Sequence, residues 1–287
     1  TAPLNVMWFI LGAAIAQFYA GTVNWVNVGL CLVVVFIFDL AVNVADNYYD
    51  YQHAHDRAGY AQQTNPVGRL ALPEMGVAQL AWGLYALAAV PGAILVWRTG
   101  WPVAVFGIVG YLIGIFYTAG PRPINATPFS AIIVALAIAF LIQLTCVYVS
   151  IYGQRPLTWT MVGATFLLCL PLTLIFFTLQ MANDTADRSE DIANHRYTLA
   201  YYLGQRGSVR LIQGVVVLGS LWPLVNVALG LAPVWTVLAV LLLPVMWRGM
   251  RPFFRVQDKR QTFMTMVKSA SLFFVAYPLL FALGAWL

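Results

Sequence analysis

Long apolar runs constrain this chain more than any other feature. A helix that crosses a bilayer needs about 20 mainly apolar residues. Nine segments approach or exceed that length: 4–21, 27–50, 75–97, 101–118, 128–150, 158–182, 209–229, 232–247 and 264–286. They are too long for barrel strands, and no polar stretch large enough for a separate soluble domain interrupts them. The expected fold is all-α: a polytopic membrane protein of nine transmembrane helices around a central cavity, with residues 1–287 as one membrane-embedded domain. Composition agrees, since the chain is 61% hydrophobic and 9% charged, whereas a soluble domain carries about 25% charge. The first apolar segment lacks a basic start, so no cleavable signal peptide is expected. Cys31, Cys146 and Cys169 lie inside apolar runs without CxxC spacing, which points away from a disulfide framework or a zinc site.

The loops alternate in charge. Thirteen of the fifteen basic residues fall on one side of the expected spans, and only Arg98 and Arg155 fall on the other. The basic side is expected to be cytoplasmic, with the N-terminus inside and the C-terminus outside. This topological origin of the net charge of +5 removes the argument for a nucleic-acid partner. The run from Arg248 to Lys268 reads as a topological signal, a contact for acidic lipid headgroups, or both.

The acids are concentrated. Eight of ten fall into two groups on the basic side: Asp39, Asp46, Asp50 and Asp56 after the second span, and Asp184, Asp187, Glu190 and Asp191 after the sixth. Charge at membrane depth is costly and is usually kept for function. Positions 39, 43, 46 and 50 follow i, i+4, i+7, i+11, so Asp39, Asn43, Asp46 and Asp50 share one helix face. Asp39 lies roughly 16 Å below Asp50 along that helix. Asp187 and Asp191 share a face in the same way, preceded by Asn183 and Asp184. Two such patches repel unless cations join them. All-oxygen ligands suit Mg²⁺, and surrounding arginines suit a diphosphate bridged through the metal. The bland alternative is a set of mutually neutralising Asp–Arg pairs at the membrane surface. His53 and His55 form an HxH in the same region, but loop histidines are more often solvated than metal-bound.

At these residues the chain resembles the UbiA superfamily of intramembrane prenyltransferases, whose layout is nine spans with an Asp motif after the second and the sixth. The first motif of that family reads N-x-x-N-D-x-x-D with a later Asp. Here it reads Asn43-x-x-Asp46-Asn47-x-x-Asp50, then Asp56. The inner pair is swapped, so either Asp46 or Asn47 takes the metal-facing place. The second motif matches Asp187, Asp191, Arg196 and Thr198-Leu-Ala-Tyr-Tyr-Leu-Gly204. Tyr117-Thr-Ala-Gly-Pro-Arg-Pro123 is similar to the Y-T-x-G-P-K-P segment of the 1,4-dihydroxy-2-naphthoate polyprenyltransferase branch, with Arg122 where Lys is usual. Two departures stand out: the G-L-G-D/E segment that often follows is replaced by Asn125-Ala-Thr-Pro-Phe-Ser130, without an acid, and the R-P segment that often opens the first helix is absent.

The resemblance implies polyprenyl diphosphate and a small aromatic acid as substrates, Mg²⁺ as cofactor, and a bacterial cell-membrane enzyme whose site opens to the cytoplasm. The implied product is demethylmenaquinone, formed by prenyl transfer to 1,4-dihydroxy-2-naphthoate with decarboxylation. It assigns metal ligation to Asp50, Asp187 and Asp191, with Asp46 or Asn47, and with Asn43 assisting. It assigns diphosphate binding to Arg69, Arg122 and Arg196, and places Asn183 beside the substrate. Tyr117 either lines the carbocation site or anchors its helix at the interface. Asp39 either contacts the acceptor or is a protonated helix–helix hydrogen bonder. Competing readings are a prenyltransferase for 4-hydroxybenzoate or a tetrapyrrole, and a cation-coupled transporter, whose acids would sit near the midplane.

Overall fold

The structure is a computed structural model that describes residues 2–287, with side chains from Val6 onward. Among the described residues it is all-helical. The principal helices are α1 (Ala2–Ala20), α2 (Trp25–His53), α3 (Glu74–Thr99), α4 (Trp101–Thr118), α5 (Ser130–Ile151), α6 (Trp159–Ala186), α7 (Leu199–Ala228), α8 (Val234–Arg255) and α9 (Phe263–Trp286). Eight of these, α2 to α9, are long and apolar enough to cross a membrane, and the apolar stretch Val6–Ala20 of α1 is shorter. The protein is an integral membrane protein.

Two boundaries depart from the sequence expectation. The seventh helix begins at Leu199 rather than near 209, and Gly204 breaks it with φ 67 and ψ 172. Glycine lacks the Cβ that makes such a backbone costly. The turn Leu199–Leu203 is thereby redirected from the rest of α7. The eighth helix extends to Arg255, and its first part, Val234–Leu241, is wound as a 3-10 helix.

Packing follows from a solvent without hydrogen bonds. Pro171 inside α6 has no N–H, which frees the Leu167 carbonyl one turn earlier. In a bilayer such a group needs a protein partner. Trp222 Nε1 and Asn226 Nδ2 of α7 donate to the Leu167 carbonyl at 3.2 and 3.1 Å, and the Tyr277 hydroxyl of α9 donates to the Leu168 carbonyl at 2.8 Å. The carbonyl freed by Pro171 thus ties α6 to α7, and the adjacent Leu168 carbonyl ties α6 to α9. Around it Trp8, Leu11 and Ile15 of α1 pack with Leu172, Phe274 and Phe281 in the main core. Gly12 allows α1 to approach α5, because a Cβ there would lie 2.7 Å from the Cβ of Cys146.

The two ends of the bundle differ. Trp97, Trp101 and Trp159 are exposed, and Trp25 stacks on Trp286, all at the end opposite the acid motifs. Such a belt marks a membrane–water boundary. At that end Arg98 donates to Asn27 at 2.9 Å, and Asn27 donates to the Val149 carbonyl at 3.2 Å, joining α2, α3 and α5. The other end carries the acids and the longer loops.

Candidate active site

The first acid motif rides on the last turns of α2. Asn43 Nδ2 donates to the backbone and side-chain oxygens of Asp39 at 2.6 and 3.2 Å, and Asn47 Nδ2 donates to the Asn43 carbonyl at 2.8 Å. These back-bonds lock the amides against the helix. Asn65, from the loop after α2, donates to the Asn47 carbonyl at 2.9 Å. Asp46 differs: its Oδ1 is buried and has no hydrogen-bond partner among the described residues. A buried carboxylate oxygen without a donor is costly unless something positive fills the space.

Asp50 is where the loops meet. Its Oδ1 accepts from Arg196 at 2.5 Å and from Asn125 Nδ2 at 3.1 Å, and its Oδ2 accepts from the Tyr60 hydroxyl at 3.1 Å. Tyr60 belongs to the α2–α3 loop, Asn125 to the α4–α5 loop and Arg196 to the α6–α7 loop. The Arg196 guanidinium also lies 5.7 Å from the Tyr60 ring centroid. Burial works against the Arg196 charge, but Asp50 and then Tyr60 more than compensate and hold the group protonated. Burial also raises the Tyr60 phenol, with Asp50 adding to the shift.

Backbone contacts tie the same loops together. Asn194 Oδ1 accepts from the His55 and Asp56 N–H groups at 3.0 and 3.1 Å, and Tyr197 N–H donates to the Ala126 carbonyl at 3.1 Å. The His55 and His195 rings stack at 4.1 Å. Asp56 spends its carboxylate on the N–H groups of Gly59 and Tyr60, at 2.9 and 3.0 Å. It caps the π-helical turn Arg57–Thr64 and so presents Tyr60 to Asp50.

The second motif straddles the end of α6 and the short helix Arg188–Ala193. Asp191 lies 4.0 Å from Arg196, which thereby touches both acid motifs. Burial pushes the Asp191 carboxyl up to about 8 against the pull of Arg196, and burial raises Glu190 as well. Both carboxyls lie where a cation would be welcome. Asp187 accepts from Lys259 Nζ at 2.5 Å, and Asp184 accepts from the Ser130 hydroxyl at 3.3 Å. Tyr117 lies within electrostatic reach of Asp46, Asp184, Asp50 and Arg196, between the two motifs.

A cavity of about 940 Å³ opens at this end, lined by Asp50, Arg57, Arg122, Asn125, Arg196 and the histidines 53, 55 and 195, among others. Arg122 stands exposed at its wall. Arg69 is exposed on the short helix Pro66–Arg69 and does not line this cavity. Among the described residues no three acids or histidines converge tightly enough to hold an ion alone. The donor set nevertheless fits a hard divalent cation, since such ions take one or two carboxylates and complete their shell with water and substrate phosphates. The unpartnered Asp46 oxygen supplies an acceptor for it.

The fold brings together Asp50 and Asp191, singled out by their spacing, and Arg196, singled out by the family resemblance. Sequence reasoning missed Tyr60, Asn125, Asn194 and Lys259. Asn125 stands in the segment that reads as having lost an acid, and it turns out to be an Asp50 partner. Lys259 sits within the basic run attributed to lipid headgroups, yet it points at Asp187.

A sequence model described as the UbiA prenyltransferase family matches residues 6–282. The 1,4-dihydroxy-2-naphthoate octaprenyltransferase of Bacillus subtilis (strain 168) is 26% identical over 240 residues, spanning 82% of this chain and 73% of that protein. Among solved structures, the apo UbiA homolog of Aeropyrum pernix K1 superposes with a TM-score of 0.72 at 12% identity, covering 99% of this chain and 96% of that one. The UbiA homolog of Archaeoglobus fulgidus bound to GPP and Mg²⁺ gives 0.60 at 13% identity, covering 96% and 95%.

Proposed function

The chain belongs to the UbiA prenyltransferase family, and we propose from that premise that it transfers a polyprenyl chain from polyprenyl diphosphate to 1,4-dihydroxy-2-naphthoate in a Mg²⁺-dependent reaction. The observation that carries this reading is the convergence of both acid motifs on Arg196, which contacts Asp50 at 2.5 Å and approaches Asp191 at 4.0 Å. A membrane-surface neutralisation scheme would distribute arginines pairwise. Here one guanidinium serves two carboxylates from motifs about 140 residues apart, beside a cavity with Arg122 on its wall. The naphthoate acceptor is supported by the Tyr117–Pro123 segment and by the printed activity of the Bacillus relative.

Magnesium held by Asp46, Asp50, Asp187 and Asp191 would neutralise the charge growing on the departing diphosphate. Arg196 and Arg122 bind the remaining phosphate oxygens, and such preorganised charge is usually the largest catalytic contribution. Asn125 and Tyr60 hold the Asp50 carboxylate in place. The Tyr117 ring would line the site of the allylic cation that ionisation leaves, since an aromatic π face attracts positive charge. The surrounding bundle excludes water from that cation. Attack by the ring carbon bearing the carboxylate forms the new C–C bond, and loss of CO₂ restores aromaticity, giving demethylmenaquinol, the reduced form of demethylmenaquinone. The basic asymmetry supports a cavity mouth on the cytoplasmic side.

Purified protein incubated with Mg²⁺, labelled polyprenyl diphosphates and a panel of aromatic acids tests the reading. Prenylation of dihydroxynaphthoate, lost with EDTA and restored by Mg²⁺, is the expected result. Prenylation of 4-hydroxybenzoate in its place would overturn the acceptor, and full turnover under chelation would overturn the metal site.

A further inference from the structure

The loop between α8 and α9 delivers a cation that the acid motifs do not announce. The chain has two lysines, Lys259 and Lys268. Lys259 stands on a turn fixed by its neighbours. The Asp258 carboxylate accepts from the N–H groups of Arg260 and Gln261 at 2.8 and 2.7 Å, and the Thr262 hydroxyl donates to the Val256 carbonyl at 2.7 Å. From that turn the ammonium reaches the second acid motif. It donates to the Asp187 carboxylate at 2.5 Å and to the Asn183 side-chain carbonyl, and it lies 4.8 Å from the Phe263 ring centroid. Asp184 and Glu190 are within its electrostatic reach. A lysine serving lipid headgroups would extend outward. This one turns inward and ends on the residue assigned to the metal.

We propose that Lys259 is a diphosphate-binding residue that acts as the counter-cation of Asp187 until substrate arrives. The inference rests on the magnesium–diphosphate reading above. A divalent ion on Asp187 repels the ammonium from the same carboxylate and outcompetes it by its double charge. The diphosphate oxygens arriving with the ion are then the nearest concentration of negative charge. A lysine suits this exchange, because it is a compact point charge on a flexible stem and a common phosphate binder. The fixed turn keeps the backbone in place, so only the side chain needs to swing. Lys259 thus passes from carboxylate to phosphate, and Asp187 passes from ammonium to metal.

The exchange predicts effects of opposite sign, which a merely structural ion pair would not give. In the full-length protein in detergent, Lys259→Met should bind Mg²⁺ alone about threefold to tenfold more tightly, because a competitor has gone. At saturating Mg²⁺ the same variant should bind inorganic diphosphate about tenfold more weakly, having lost one charge-assisted hydrogen bond. Lys259→Arg should recover most of the diphosphate affinity. Both affinities are read by titration calorimetry, without turnover. Unchanged affinities, or two changes in the same direction, would overturn the role of Lys259 while Mg²⁺-dependent diphosphate binding by the unsubstituted protein leaves the site intact. Absence of that binding in the unsubstituted protein would overturn the site and this inference together.

Discussion

The Arg196 guanidinium lies 2.5 Å from the Asp50 carboxylate, with side-chain exposures of 18% and 13%. Breaking such a pair from one side leaves a charge that water reaches poorly, which costs about 3–5 kcal/mol. Arg196→Gln and Asp50→Asn should each abolish prenyl transfer. Each should also lower the unfolding temperature, whereas the double substitution should recover part of the lost stability without recovering turnover. Thermal unfolding in detergent alongside the transfer assay checks both parts.

Asn125 donates to the same Asp50 oxygen at 3.1 Å. Its removal leaves the carboxylate charged but less firmly oriented. Asn125→Ala should raise the Mg²⁺ concentration for half-maximal rate by about threefold to tenfold, in line with one hydrogen bond to a charged group, and should change stability little. A normal Mg²⁺ requirement would show that Asn125 only joins loops.

Asp46 and Asn47 compete for the metal-facing place. Among the described residues the Asp46 Oδ1 is buried without a donor, while Asn47 commits its amide nitrogen to the Asn43 carbonyl. Asp46→Asn should therefore raise the Mg²⁺ requirement as severely as Asp50→Asn, and Asn47→Ala should raise it less. Mg²⁺ titrations of the three variants decide the matter. A near-normal Asp46→Asn enzyme would give the place to Asn47.

Trp222 and Asn226 donate to the carbonyl that Pro171 frees. Interhelical hydrogen bonds in membranes contribute about 0.6 kcal/mol on average and up to about 1.7. Asn226→Leu should lower stability by about 1 kcal/mol in the native sequence. In a Pro171→Ala background the Leu167 carbonyl regains its helical partner, and the same substitution should cost less. Unfolding titrations of the four proteins measure the coupling.

Topology follows from the basic asymmetry. Single cysteines near 205 and 257 should be labelled by impermeant reagents only from the cytoplasmic face, and one near 230 only from outside. Position 205 lies just past the Gly204 break near the start of α7, 257 in the α8–α9 connection and 230 in the α7–α8 connection. Labelling of 205 and 230 from one face would contradict an odd number of crossings between the chain ends.

The spans, the acid-rich end and the face shared by Asp39, Asn43, Asp46 and Asp50 were legible in the sequence because they are local. Apolar run length answers to bilayer thickness, and positions on one helix face answer to a fixed rotation per residue. The face shared by Asp187 and Asp191 followed from spacing in the same way, while Arg196 was singled out by the family resemblance. The partners of those acids were not legible. Tyr60, Asn125 and Arg196 reach Asp50 from three loops, and Lys259 reaches Asp187 across 72 residues. Which loop faces which depends on how the helices dock, and docking here is set by contacts such as Gly12 against Cys146 and Trp222 against the Leu167 carbonyl freed by Pro171. Composition supplied both the carboxylates and the cations. Only the packing decided that one arginine would bridge two motifs, that Asp56 would hold a loop, and that a lysine in a basic run would turn inward.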